Sequence, residues 1–331
     1  MNSEFTADQS ISRMFTVARV IAILTVISAH ITIRTSDLVA NFYSAIGSIG
    51  VVLFMIASGY YYKHTNYPTL IKKKTISIVI PWIVIGSAVY LVDTLLNGRG
   101  FSMYSLFLWL VGYKTYLYYV IVLLICFVLF YVHNKVSLYI AMAINAVSII
   151  LTVFGVTDTF IEALHITNYL NVANWIGFFA LGMLLQKMDH AKLYQFIVST
   201  RWLWFTISAI ATLIITVTGY KVGYFSPLGW LYELVSALSI LGICTYGFTY
   251  NKITVSISEM SYAIYLLHLM FTGVLAKIYG MHVSFSLFAN IIVLAVTYFI
   301  LFFGKIVAEK IKLGKVYALC IGLRRVNPHK T

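Results

Sequence analysis

Charge is what this chain lacks most. Of its 331 residues, 10% are Asp, Glu, Lys or Arg and 61% are hydrophobic. A soluble protein of this length has no interior large enough to hide that much apolar surface. Acidic side chains are scarcest, at 10 Asp+Glu against 23 Lys+Arg. Cysteine is scarce too. Cys126, Cys244 and Cys320 stand far apart, without metal-ligand spacing or a disulfide framework, and read as small buried hydrophobes. The opening "MNSEFTADQS" lacks the basic, short-apolar, cleavage-site pattern of a signal peptide, so the first apolar segment is expected to be retained. No internal repeat and no low-complexity segment is visible. There is also no His-x4-Asp acyltransferase motif, no Gly-x-Ser-x-Gly and no phosphate-binding glycine loop, which leaves soluble-type catalysis unsupported.

What is present is a series of apolar runs near the roughly 20 residues that cross a bilayer. The expected fold class is an all-α integral membrane protein, a bundle of about ten transmembrane helices with both termini cytoplasmic. The runs fall roughly at 14–33, 43–62, 76–96, 116–132, 136–155, 172–186, 202–219, 228–249, 257–278 and 286–308. The expected divisions are a cytoplasmic segment 1–13, a transmembrane domain 14–310 and a basic cytoplasmic tail 311–331. With the N-terminus inside, five basic residues fall outside (Arg34, Arg99, Lys114, Lys221 and Lys277), Arg19 lies within a span, and the remaining 17 of 23 are cytoplasmic, counting Lys305 at the inner end of the last run. This is the positive-inside bias. It explains the net charge of +13 without nucleic acid and makes the lipid bilayer the first partner.

Two segments interrupt the alternation of span and loop. Residues 97–115, "NGRGFSMYSLFLWLVGYKT", have an apolar middle too short to span, suited to the interface or to re-entry. Residues 156–171 form the longest polar outer loop, with Asp158, Glu162 and His165. Most of the 25 tyrosines are expected in interfacial belts or in packing.

Ionisable groups at membrane depth are costly and usually face an interior cavity with a partner. In "ARVIAILTVISAH", Arg19 and His30 are eleven residues apart. At 100° per residue they share one helix face, about 16 Å apart along the axis. The second run carries Gly50, Phe54, Ser58 and Gly59, where small residues ordinarily mark close helix packing. Lys72, Lys73 and Lys74 stand at the mouth of the third, followed by Pro81-Trp82. Such a run ordinarily serves topology and also suits nucleotide-like phosphates. In the ninth, Ser261, Tyr265 and His268 at i, i+4 and i+7 fall on roughly one face. Glu233 lies about 8 Å inside the eighth run, at a depth like that of His30, and a carboxylate there can orient an imidazole.

Taken in order, these pieces resemble the membrane acyltransferase-3 family over about residues 12–308. The resemblance lies in an Arg, ten residues and a His in the first span, and in "GVVLFMIASGYYY", the basic cluster with Pro-Trp and "ISEMSYAIYLLHLMF". The chain departs from the family in having lysines where arginines are usual. At 116–120 it has "YLYYV", with Tyr119, in place of a His-x-Trp-aromatic-Leu element. The resemblance implies transfer of an acyl group, in the first place acetyl, from cytoplasmic acyl-CoA to a hydroxyl of a surface or lipid-linked carbohydrate, with no metal. It implies a multi-pass protein of the bacterial cytoplasmic membrane. On this reading Arg19 and Lys72–Lys74 meet the coenzyme phosphates. His30 is general base or acyl carrier, with Glu233 orienting it. Ser261, Tyr265 or Arg19 serves the oxyanion, and Ser58, Tyr119 and His268 give support. The rival readings are an exporter of a polysaccharide or lipid-linked sugar without acyl chemistry, and another polytopic acyltransferase type using His165 with Asn168 or Asn171.

Overall fold

The computed structural model describes residues 5–31, 37–157, 159, 166–220, 223–279 and 288–323. Arg34, Asp158, Glu162, His165, Lys221, Arg324 and Arg325 lie outside the described residues. The described residues are mostly helical, with no strand among them. Among the described residues, seven stretches are long and apolar enough to cross a membrane: Ala7–Ala29, Asp37–Tyr60, Tyr67–Leu96, Lys135–Val153, His190–Thr218, Lys252–Lys277 and Ala289–Lys310. Tyr118–Leu129, Ile176–Gln186 and Pro227–Ile243 are shorter apolar helices.

The first helix, α1 (Ala7–Ala29), begins seven residues before the expected 14 because Thr6 and Gln9 cap it reciprocally (Gln9 N–H to Thr6 Oγ1 3.3 Å, Thr6 N–H to Gln9 Oε1 3.0 Å). It ends before 33, with His30 as its C-cap, so the imidazole stands on the helix end. The next traverse is divided into α2 (Asp37–Gly47) and α3 (Ile49–Tyr60) at Ser48. Then α4 (Tyr67–Lys74) runs through a π-turn at Thr75–Val79 into α5 (Ile80–Leu96).

The expected interfacial or re-entrant segment is a helix, α6 (Met103–Leu110), and it runs back along α5. The Tyr90 hydroxyl donates to the Ser102 carbonyl (3.2 Å), and the Trp82 indole N–H donates to the Leu110 carbonyl (3.1 Å). Eight residues separate the two contacts on each helix, so α6 descends antiparallel to α5 by about 12 Å. Non-helical residues 111–117 follow, and then α7 (Tyr118–Leu129). Together α6 and α7 form one discontinuous element, broken beside the first turns of α5, where Trp82 and Gly86 meet Leu110 and Leu117. Such a break is tolerated at membrane depth only where protein or a cavity receives the freed backbone groups.

The remaining helices are α8 (Lys135–Val153), α9 (Ile176–Gln186), α10 (His190–Thr218), α11 (Pro227–Ile243), α12 (Lys252–Tyr279), α13 (Ala289–Lys310) and α14 (Gly314–Ile321). α10 begins twelve residues before the expected 202, because Asp189 caps it through the Ala191 and Lys192 N–H groups and its first turns are too polar to register as apolar. Helix α1 is central and packs on α2, α3, α10, α11, α12 and α13.

Contacts between chain-distant residues fix the two ends of the bundle. Asp8 meets His190 (2.5 Å), and Arg13 stacks on Tyr250. At the other end Asn290 Nδ2 donates to Ser28 Oγ (2.8 Å), and Lys277 donates to the Leu96 carbonyl (2.7 Å). The first is the basic end, near Arg13, Lys72–Lys74, Lys187, Lys192, Lys310, Lys312 and Lys315.

Candidate active site

Two cavities enter the bundle, one from each end. The first, of about 480 Å³, opens at the basic end and is lined by Arg19, Ser58, Lys74, Tyr119, Glu259, Ser261 and Tyr265, among others. The second, of about 910 Å³, opens at the opposite end. It is lined by Ser28, His30, Ser48, Lys114, Tyr116, Tyr118, Tyr169, Tyr224 and Tyr265, among others. Tyr265 lines both.

The shared face of α1 holds. Arg19 points into the basic-end cavity and His30 into the other. Their separation along the helix, about 16 Å, keeps Arg19 away from any group reacting at His30. Placing Arg19 at an oxyanion there is therefore corrected by the geometry. Its guanidinium lies 5.6 Å from the centre of the Tyr61 ring.

The three lysines part company. Lys74 lines the basic-end cavity with its ammonium 3.3 Å over the Phe127 ring, whereas Lys72 and Lys73 are exposed and line neither cavity. Successive residues on α4 are turned by 100°, so three in a row cannot share one face.

The α12 trio forms a continuous buried stripe. Ser261, Tyr265 and His268 are 5%, 3% and 0% exposed. The Ser261 hydroxyl donates to the Ser258 carbonyl (2.8 Å), Tyr265 donates to the Tyr116 carbonyl, and Tyr116 donates to the Leu266 carbonyl (2.6 Å). These last two bonds clip the break between α6 and α7 onto α12. Ser58 Oγ lies 3.4 Å from the Tyr119 hydroxyl, and the Tyr119 and Tyr265 rings are 5.4 Å apart. Gly59, beside Ser58, has the packing role expected of it: a Cβ there would meet the Phe179 backbone of α9.

Glu233 is fully buried, but neither carboxylate oxygen has a hydrogen-bond partner among the described residues. The expected bond to His30 is not made. Helix α11 packs chiefly on α10 and α3, which turns Glu233 toward Ser48 at the α2–α3 junction and toward Tyr118, Tyr169 and Tyr224. The neighbour of His30 is His268, with ring centres 5.1 Å apart. Tyr116 packs edge-on to both, at 6.2 and 5.4 Å.

Sequence reading missed Lys114, Thr115 and the aromatic wall of Tyr118, Tyr169 and Tyr224. Lys114 was expected in an outer loop, yet it lines the His30 cavity from the break, at φ 57°. The available signal was a polar Gly-Tyr-Lys-Thr stretch between two half-length apolar runs. Asn168, of the rival His-Asn reading, also lines this cavity. No group of three or more His, Cys, Asp or Glu side chains able to hold a metal occurs among the described residues.

Comparison with known proteins places a family model described as an acyltransferase domain over residues 15–307, nearly the whole chain. No curated protein and no solved structure matches it.

Proposed function

The chain belongs to the acyltransferase-3 family, and from that premise we propose that it is an O-acyltransferase of the bacterial cytoplasmic membrane. It moves an acyl group, in the first place acetyl, from cytoplasmic acyl-CoA to a hydroxyl of a surface or lipid-linked carbohydrate. The observation that carries this reading is the pair of opposed cavities meeting at Tyr265, with the imidazole of His30 in one and the cations Arg19 and Lys74 in the other.

In this reading the basic end faces the cytoplasm, as the positive-inside rule requires, and the bundle crosses the membrane ten times with both termini inside. Arg19 and Lys74 hold coenzyme phosphates by charge-assisted hydrogen bonds. The thioester arm reaches past Ser58 and Tyr119 toward Tyr265. The acceptor sugar enters the larger cavity, whose tyrosine wall offers flat faces and hydroxyls. His30 takes the proton from the acceptor hydroxyl as its oxygen attacks the thioester carbonyl. The C–O bond forms, the C–S bond breaks, and the imidazolium returns its proton to the thiolate. Free coenzyme thiol and an ester leave on opposite sides. The Tyr119 hydroxyl, 3.4 Å from Ser58 Oγ on the donor's path, is the hydrogen-bond donor for the developing oxyanion, whereas Tyr265 and Ser261 spend their hydroxyl protons on the Tyr116 and Ser258 carbonyls.

The test is thiol release from acetyl-CoA by purified protein in nanodiscs, with and without candidate glycans. His30→Ala is expected to lower turnover by about 10²-fold or more while donor binding persists. Absence of binding of any acyl-CoA to correctly folded protein would overturn the reading and favour an exporter.

A further inference from the structure

His268 lines neither cavity, yet its ring is set in a way that packing alone does not explain. It is 0% exposed, in the middle of α12. Its Nδ1 lies 2.5 Å from the Tyr265 carbonyl oxygen one turn earlier. A carbonyl only accepts, so Nδ1 carries the proton and Nε2 of the neutral ring holds a lone pair. That Nε2 is buried and has no hydrogen-bond partner among the described residues. A buried acceptor left in this state is costly and calls for a donor.

The surrounding hydroxyls are committed elsewhere. Thr272 donates to the His268 carbonyl (2.6 Å), Tyr116 to the Leu266 carbonyl, and Tyr265 to the Tyr116 carbonyl. The group that remains is His30. Its ring centre is 5.1 Å from that of His268, tilted by 49°; its backbone N–H caps α1 through the Ile27 carbonyl, while its ring nitrogens make no hydrogen bond to another described residue. A ring nitrogen sits roughly 1 Å from the ring centre, so facing nitrogens at this spacing approach to about 3 Å, a normal hydrogen-bond length. A rotation of the His30 ring closes the contact.

We propose that His268 is a positioning residue for His30: its Nε2 accepts the ring N–H of His30, fixing the His30 tautomer and leaving the other nitrogen as the base that faces the cavity. The inference rests on the reading of His30 as general base. The orientation expected of Glu233 then comes from a second imidazole, itself held by the backbone of α12. When His30 takes the acceptor's proton, the bond to His268 becomes charge-assisted and strengthens as the transition state forms. Tyr116 packs edge-on against both rings, and the Tyr265–Tyr116 clip ties that placement to the break between α6 and α7.

Two variants and one spectrum test this. His268→Leu removes the acceptor, whereas His268→Gln returns an amide oxygen near the position of Nε2. His268→Leu is expected to lower kcat by about tenfold to a hundredfold, the range for groups that orient an imidazole from behind, with KM for donor and acceptor unchanged. His268→Gln is expected to recover most of that loss. In ¹⁵N-histidine spectra of the nanodisc protein, assigned by subtracting His30→Ala, neutral His30 is expected in a single tautomer in wild type and as a mixture in His268→Leu. Wild-type kcat in folded His268→Leu, or equal losses in the two variants, would overturn the proposal. If His268→Leu does not fold, a mixed His30 tautomer in the wild-type spectrum overturns it alone. The spectrum needs no turnover, so a wild type that binds no acyl-CoA but shows one His30 tautomer rejects the acyltransferase reading and not the pairing.

Discussion

Lys72, Lys73 and Lys74 are three identical side chains in a row, and one of them reaches the cavity. The sequence announces a basic cluster but not which member works, because that depends on how α4 is turned against α7. A charge-assisted contact to phosphate contributes about 1.5–3 kcal/mol. Lys74→Ala is therefore expected to raise the acyl-CoA KM by roughly tenfold or more, and the double variant Lys72→Ala/Lys73→Ala to leave it within about threefold. Titration of initial thiol-release rates against donor separates the two, and equal effects would show that bulk charge is what matters. Glu233 makes the converse point. It stood out in the sequence as an acid inside an apolar run, and its depth was legible, but the direction of its side chain was not. Since its oxygens make no bond to His30, Glu233→Gln, of the same shape, is expected to keep kcat within about threefold and to preserve stability, because an unpaired buried carboxyl is replaced by a neutral amide. A tenfold loss of kcat in thiol-release assays would return Glu233 to the reacting groups.

Among the helices, continuous spans could be read from hydropathy and broken ones could not. α1, α8 and α13 differ from the expected runs chiefly at their caps. The α6–α7 pair was divided between a loop and a span because each half is shorter than a bilayer. Its break carries Lys114 and Tyr116, which is why these cavity residues escaped a reading that looked for ionisable groups inside runs. Gly112 makes the break possible. Its φ is +79°, and a Cβ there would collide with the Tyr118 backbone. Gly98 also has positive φ (+63°), but a Cβ there meets nothing within 4 Å. Gly98→Ala should therefore show only the backbone penalty, about 1 kcal/mol. Gly112→Ala adds the collision, about 1–3 kcal/mol more, and should displace Tyr116 from the His30–His268 pair. Thermal unfolding in detergent with parallel thiol release would show Gly112→Ala losing both stability and kcat, and Gly98→Ala keeping kcat. Equal outcomes would mean that the break does not hold the site.

Over the whole molecule the proposal depends on which end faces the cytoplasm, since the proposed donor, acyl-CoA, is cytoplasmic and the proposed acceptor lies on the other side. The charges give the direction. Among the described residues, Lys63, Lys72–Lys74, Lys187, Lys192, Lys310, Lys312 and Lys315 gather at the end where α1 starts, while Arg99, Lys114 and Lys277 are at the other. Retained positive charge sets orientation, and the ten crossings proposed above would carry the same sign pattern from α1 to α13. The arrangement can be read chemically, because the native cysteines interfere little: Cys126 and Cys244 are buried, and Cys320 is partly so. In a Cys320→Ser background, Lys277→Cys is expected to react with a membrane-impermeant maleimide on intact cells. Lys72→Cys is expected to react only in inverted vesicles; both lysines are exposed. Reversed labelling would put Arg19 and Lys74 where no acyl-CoA exists, and the larger cavity with His30 would then have to receive the donor. Labelling as expected leaves the transfer one direction, from the lysine-lined cavity past Tyr265 to His30. On the proposed reading Tyr265, buried and the one described residue lining both cavities, stands where the thioester arm would meet the sugar.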